Sequence, residues 1–293
     1  MTISMKVDPP VYMFEKRKVI DEYLLKFMPD ITKYPQVLHE AIHYSVMAGG
    51  KRLRPILALA AFEACGGTGP DIYRAAVAVE LIHTYSLIHD DLPCMDDDDL
   101  RRGKPSLHNK YGEAIALLAG DALHDFAFRL TAETGNTKIV LELAEAIGTD
   151  GMLAGQMADM DAEGRDLSLE EVTYIHVHKT GKLIRGAVRI GALLANAGKK
   201  ELDAITVYGE KVGHAFQIID DILDIVGDTE ILGKPVGSDS KNNKATYPAI
   251  IGLEKSRQIA SELIDEAIDT IRTSVSPSDT FVDIARFIGG RQM

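Results

Sequence analysis

The chain has 293 residues, 46% of them hydrophobic and 26% charged, with a formal net charge of −12 and only two cysteines, Cys65 and Cys94. This composition describes a folded globular protein rather than a disordered one, and the acidic balance argues against general nucleic-acid binding, which needs a basic footprint. The sparse cysteines exclude a disulfide framework or thiolate metal site, and the expectation is a reducing, cytoplasmic compartment.

The N-terminal stretch MTISMKVDPPVYMFEKRKVIDEYLL interleaves charged and apolar residues, so no secretory signal is expected. The longest apolar run, Ile56 to Phe62, is far short of the roughly 20 residues that span a bilayer, and no membrane segment is expected. Apolar residues recur at helical spacing almost throughout. Helices are predicted over about 11–28, 35–48, 53–65, 71–92, 111–133, 137–147, 150–161, 169–196, 201–226, 246–273 and 279–288. Asp71 is expected to cap the fourth of these and Pro93 to close it. The breaks, such as AGGKRLRP, LPCMDDDDLRRGKP and GDTEILGKPVGSDSKNNK, are too short for a flexible interdomain linker, and no repeat divides the chain. The prediction is an all-α protein forming one large helical domain over residues 1–293.

Within the second helix, HEAIH (His39 to His43) matches the HExxH zinc-peptidase pattern, with Glu63 twenty residues beyond as a conceivable third ligand. The Gly-Gly break and the cations that follow argue against it. Those cations, Lys51, Arg52 and Arg54 of GGKRLRP, are the first candidates for anion binding.

The fourth helix carries His83, Leu87 and Asp90 on one face and runs into Asp91 and Asp96, after which come Arg101 and Arg102. A helix C-terminus is the negative end of the macrodipole, so carboxylates crowded there are disfavoured by about 0.3–1 kcal/mol each unless a cation compensates. A second acidic group, Asp220, Asp221 and Asp224, follows Gln217 on a helix where no Lys or Arg interleaves it. An EF-hand does not fit, because Leu100 and Leu107 occupy ligand positions. Carboxylate oxygens without His or Cys suit Mg²⁺, which is held by one or two carboxylates together with substrate phosphates. Lys179 with Thr180, Lys234 and Lys244 add cations in glycine-containing surroundings, and together these groups describe a pocket for more than one polyphosphate. No GxxxxGK[ST] loop is present, so a nucleoside triphosphate is not indicated. His176 and His178, two apart, fall on different helix faces and are expected to pack or face solvent.

These residues resemble the trans-isoprenyl diphosphate synthases, most closely the bacterial farnesyl diphosphate synthases. The matching stretches are GGKRLRP, HTYSLIHDDLPCMDDDDLRRGKP, AGDAL, GMLAGQMAD, HKTGKL, FQIIDDILD and GKPVGSDSKNNKATYP, in family order over roughly residues 40–250. The resemblance implies helices around a central cavity, a homodimer, and two aspartate motifs that hold three Mg²⁺ on an allylic diphosphate: Asp90, Asp91 and Asp96, and Asp220, Asp221 and Asp224. It implies that Arg101, Lys179 and Lys234 contact the allylic diphosphate, supported by Gln217 and approached by Lys244. Thr180 and the Lys179 carbonyl would face the developing cation, while Lys51, Arg54, His83 and Arg102 would hold isopentenyl diphosphate. Some relatives place a basic cap over that site, for which the candidate in the short C-terminus RFIGGRQM is Arg291, a role the resemblance leaves open.

Product length is implied by the same resemblance. Tyr85, five residues before Asp90 and so about 7.5 Å down the helix, and Ser86, one turn before it, would floor the pocket and limit the product to C15. A geranylgeranyl diphosphate synthase of the same chemistry is the alternative. A terpene cyclase would not need GGKRLRP and Arg102, and a non-catalytic partner subunit would be expected to have lost its metal aspartates.

Overall fold

A computed structural model describes residues 9–226 and 245–290. The predicted helices are present as α1 (Val11–Phe27), α2 (Gln36–Val46), α3 (Leu53–Ala64), α4 (Asp71–Asp90), α6 (Glu113–Ala132), α7 (Thr137–Ile147), α8 (Met152–Asp161), α9 (Leu169–Ile175), α10 (Lys182–Leu194), α11 (Lys199–Val226), α13 (Leu253–Ser274) and α14 (Asp279–Gly289). A glycine at positive φ, a conformation open to glycine without Cβ strain, delays the start of the predicted helix 111–133 and splits the predicted helix 246–273. Gly112 (φ 90°) separates the short α5 (Leu107–Tyr111) from α6, and Gly252 (φ 85°) separates α12 (Tyr247–Ile251) from α13. The predicted helix 169–196 is a single rod, but its middle, His176–Gly181, is wound as a π-helix.

Asp71 does not cap α4: it is the first helical residue and makes no side-chain cap hydrogen bond, its carboxylate instead standing in the first turn where the dipole favours it. A small element was not predicted. Strands β1 (Leu100–Arg101) and β2 (Lys104–Pro105) form an antiparallel hairpin whose turn residues, Arg102 and Gly103, both have positive φ, as tight hairpin turns require.

Buried apolar residues form two clusters that meet along α3 and α10. On α10, Leu183, Ala187 and Ile190 face α4, α6 and α7, while Ile184, Val188 and Ala192 belong with α11, α13 and α14. Helix α3 divides likewise, with Ala58 and Leu59 on one side and Ile56 and Leu57 on the other. Apolar faces on both sides make these two helices the centre of the fold. The ends of α4, α8, α11 and the π-helix converge on a cleft beside this centre. No described helix is long and apolar enough to cross a membrane.

Candidate active site

The first acidic group is assembled by the chain reversing at the end of α4. The Asp96 N–H donates to the Asp90 carbonyl (2.8 Å) and the Asp97 N–H to that of Leu92 (3.2 Å), so the DDxxxxD spacing returns its last aspartate to its first. Asp96 then lines a solvent-open cleft with Asp159, His176, Lys179, Thr180, Gln217, Asp220 and Asp221. Burial pushes the Asp90 carboxyl up to about 6; Lys179 opposes that shift, and Asp96 and Asp91 add to it. Asp91 has a different neighbour. It is only 2% exposed, and its Oδ1 accepts from Arg101 Nε (2.8 Å) and Nη2, the latter also donating to Asp98 (2.7 Å).

From the opposite side, the π-helix supplies Lys179 and Thr180. Lys179 Nζ donates to Asp159 Oδ2 on α8 at 2.6 Å. Burial alone would lower this ammonium's pKa, but Asp159, with Asp90 and Asp96, holds it above its ordinary value. Thr180 donates its hydroxyl proton to Gln217 Oε1 (2.8 Å), which leaves the threonine oxygen's lone pairs for another group. Helices α8 and α11 grip the π-helix closely: a Cβ on Gly155 would lie 2.0 Å from the Lys179 nitrogen, and one on Gly213 would lie 2.9 Å from Gly181 Cα.

The second aspartate group divides. Asp220 and Asp221 line the cleft, whereas Asp224 is 2% exposed and does not. Asp221 Oδ2 accepts from the Tyr247 N–H (2.9 Å) and lies 3.4 Å from His176 Nε2. His176 stacks on the Tyr247 ring (centroids 5.2 Å), and burial, with His214 nearby, pushes its pKa down to about 3. His178 stacks instead on Tyr174. Sequence reasoning missed Asp159 and the His176–Tyr247 support. The signal for Asp159 was available in GMLAGQMAD, where the glycine that admits the π-helix precedes the acid by one turn on the same face.

The cationic cluster forms beside the acidic one. Arg102 Nη1 donates to the Gly49 carbonyl, and its guanidinium lies over Gly50, where a Cβ would come within 2.8 Å of Cζ. With φ at 124°, Gly50 is needed here both for its backbone and for its missing side chain. Burial lowers the Arg54 pKa to about 10, with Glu80 opposing and Arg102 reinforcing the shift, and its buried Nε has no hydrogen-bond partner among the described residues. His83 is driven well below its ordinary pKa by burial and then by Arg54, Arg102, Arg101 and Arg52. Such a cluster has the chemistry to receive a multiply charged anion. Lys51 is exposed at its edge.

Tyr85 is buried between α4 and α6, its ring edge-on to His124 (5.2 Å) and His89 (5.6 Å), and Ser86 donates its hydroxyl proton to the His83 carbonyl. Lys234, Lys244 and Arg291 lie outside the described residues. The HEAIH histidines are engaged elsewhere, His39 with the Pro35 carbonyl and His43 with that of Pro29, while Glu63 is taken by Tyr12 and Lys16.

Among the described residues, no three His, Cys, Asp or Glu side chains gather closely enough to hold an ion unaided. The donors nevertheless fit Mg²⁺: they are carboxylate oxygens, the Asp90 carboxyl is raised by burial and by its neighbours Asp96 and Asp91 in a way that a cation would offset, and Mg²⁺ completes its shell with phosphate and water.

Residues 35–283 match the polyprenyl synthetase family model. The chain is 44% identical to the geranylgeranyl diphosphate synthase of Cyanophora paradoxa, covering 96% of this chain and 95% of that protein. It is 42% identical to the farnesyl diphosphate synthase of Geobacillus stearothermophilus, covering 96% and 97%. The crystal structure of an FPP/GFPP synthase from Zymomonas mobilis superposes with a TM-score of 0.83 at 36% identity, covering 94% of this chain and 97% of that one. The all-helical fold is that of the isoprenoid synthases, and the chain belongs to the polyprenyl synthetase family of prenyltransferases.

Proposed function

We propose that the cleft joins isopentenyl diphosphate head-to-tail to dimethylallyl and then geranyl diphosphate, giving farnesyl diphosphate and releasing diphosphate at each addition. One observation carries this reading: two anion-binding environments of different kind lie side by side. One is a mixed cleft of Asp96, Asp220, Asp221 and Lys179; the other is a cluster in which Arg54 and Arg102 gather around His83 with Glu80 alongside. A reaction between two diphosphates, only one of which must leave, calls for that division.

Asp90, Asp96 and Asp220 would hold Mg²⁺, with Asp91, Asp221 and Asp224 completing the two motifs behind them. When bound, Mg²⁺ supplies positive charge to the departing diphosphate. Lys179 exchanges its hydrogen bond with Asp159 for one with the allylic diphosphate, and Arg101 adds to that grip. The allylic C–O bond breaks with its electron pair going to diphosphate. The carbocation is faced by the lone pairs of Thr180 Oγ1, whose proton is directed to Gln217, and by the Lys179 carbonyl. Lys51, Arg54 and Arg102 hold isopentenyl diphosphate, and His83, kept neutral, donates a hydrogen bond. The isopentenyl π electrons form the new C–C bond, and a neighbouring carbon loses a proton to the released diphosphate to restore an alkene. Excluding water protects the cation from capture as an alcohol.

Relatives carry both farnesyl and geranylgeranyl names, so a C20 product is the second reading; the bulk of Tyr85 favours C15. A homodimer belongs to the proposal, supported by the exposed apolar residues Leu117 and Leu118 on α6, Leu141 on α7, and Leu153 and Met157 on α8. A cytoplasmic location is supported by the free thiols of Cys65 and Cys94. The test is incubation with Mg²⁺, isopentenyl diphosphate and each allylic starter, followed by product sizing. C15 is expected; C20 refutes the role of Tyr85, and no elongation with any starter refutes the function.

A further inference from the structure

Arg52 stands in the middle of GGKRLRP, yet its side chain turns away from those of its neighbours. It is 3% exposed, and each of its three guanidinium nitrogens donates a hydrogen bond. Nε donates to Asp21 Oδ1 on α1 (2.9 Å), Nη1 to Glu80 Oε1 on α4 (2.7 Å), and Nη2 to the Val46 carbonyl at the end of α2 (2.7 Å). The residue lies immediately before α3 with φ at 51°, a left-handed conformation that a non-glycine residue holds only when its surroundings dictate it. Four elements are thus registered on one planar group.

Glu80 is 1% exposed and lies one turn before His83 on α4. A desolvated ion pair of this kind adds little net stability, but it defines a geometry strictly, because separating it strands a buried charge. What it defines here is the turn between Gly50 and Leu53. Lys51 leaves that turn toward solvent and Arg54 is the second residue of α3, within electrostatic reach of Glu80 and Arg102. Arg102 is tied to the same turn through the Gly49 carbonyl.

We propose that Arg52 is a positioning residue for isopentenyl diphosphate: clamped by Glu80, Asp21 and the Val46 carbonyl, it fixes the turn that aims Lys51, Arg54 and Arg102 at one diphosphate, without touching that diphosphate itself. This rests on the assignment of Lys51, Arg54, His83 and Arg102 to the isopentenyl side. Arg52→Lys keeps the charge beside Glu80 but loses the fork that reaches three acceptors at once. Asp21→Asn weakens only the outer, partly exposed arm.

Both variants and the wild-type protein are titrated calorimetrically with isopentenyl diphosphate alone, and KM is measured for isopentenyl and geranyl diphosphate. The expectation for Arg52→Lys is a weakening for isopentenyl diphosphate of about tenfold, with the geranyl KM within about twofold; for Asp21→Asn it is a smaller shift, about threefold, in the same selective sense. If Arg52→Lys fails to fold, Asp21→Asn alone decides between a selective change and none. Loss of both affinities together, or a lowered melting temperature with both KM values unchanged, overturns the proposal and leaves Arg52 a structural residue. A wild-type protein that does not bind isopentenyl diphosphate overturns the site assignment and the proposal with it; wild-type binding with unselective variants overturns the proposal alone.

Discussion

Lys179 Nζ lies 2.6 Å from Asp159 Oδ2, an ion pair between the π-helix and α8 at the wall of the acidic cleft. The pair keeps the ammonium charged and directed into the cleft, where a phosphoryl oxygen can take over one of its three N–H donors. Lys179→Gln removes the charge and one of the three donors. We expect kcat/KM for geranyl diphosphate to fall by about 10²–10³ while binding of isopentenyl diphosphate alone is retained. Steady-state kinetics and calorimetry separate the two, and an equal loss for both substrates would place Lys179 elsewhere in the mechanism.

The π-helix is held by contact as well as charge. Gly155→Ala puts a methyl group 2.0 Å from the Lys179 nitrogen, and backbone cannot yield as a flexible side-chain tip can. Overpacking of this kind costs about 1–3 kcal/mol, and the displaced Lys179 and Thr180 should lower turnover by at least about tenfold at temperatures where the variant stays folded. Urea unfolding and turnover of the same preparation test both parts; a stable, fully active variant would show that the π-helix tolerates displacement.

Much of this was legible in one dimension. Helical periodicity located α1 to α4, α6 to α8 and α11 because each buries a continuous face, and acids at helix ends without interleaved bases pointed to a cation. What stayed hidden depends on contacts between distant segments or on a single φ. Asp221 reads as one more acid on a polar stripe, but its partner is the backbone of Tyr247. Asp91 reads as the twin of Asp90, but the hairpin returns Arg101 to it. Arg52 reads as one of three equivalent cations, and only its left-handed backbone turns it inward. The π-helix has no periodic signature distinct from the α-helices it joins.

His214 provides a pH-dependent readout. Its Nε2 is 2.8 Å from the Tyr247 hydroxyl, its ring is 6.5 Å from that of His176, and burial, reinforced by Lys211, lowers its pKa from 6.5 to about 4. A histidine depressed on folding adds stability that is fully present above the unfolded-state value and is lost as pH falls through the folded one. Stability from His214 should therefore be intact above pH 6.5 and vanish toward pH 4, a change on the order of 3 kcal/mol. Urea unfolding of wild-type protein and His214→Gln between pH 7.5 and 4.5 should show a shallower decline in the variant. Parallel declines would mean that His214 is protonated at its ordinary pH in the folded state.

Tyr85 packs edge-on against His124, so α6 buttresses it. Tyr85→Ala should lose about 3 kcal/mol of stability through the cavity it leaves and shift product from C15 toward C20 or longer, whereas Tyr85→Phe should keep C15. Chromatography of dephosphorylated products gives the distribution, and an unchanged one for Tyr85→Ala would put the pocket floor elsewhere.

The central claim is that carboxylates from α4 and α11 share divalent ions with an allylic diphosphate between them. Its most direct measurement is anomalous diffraction from crystals grown with Mn²⁺ and a non-reactive thio analogue of geranyl diphosphate. The account predicts ion peaks against Asp90 or Asp96 and against Asp220, bridged by the diphosphate, with Lys179 moved from Asp159 onto a phosphoryl oxygen. Diphosphate bound away from these aspartates, with no ion on either bank, would contradict it.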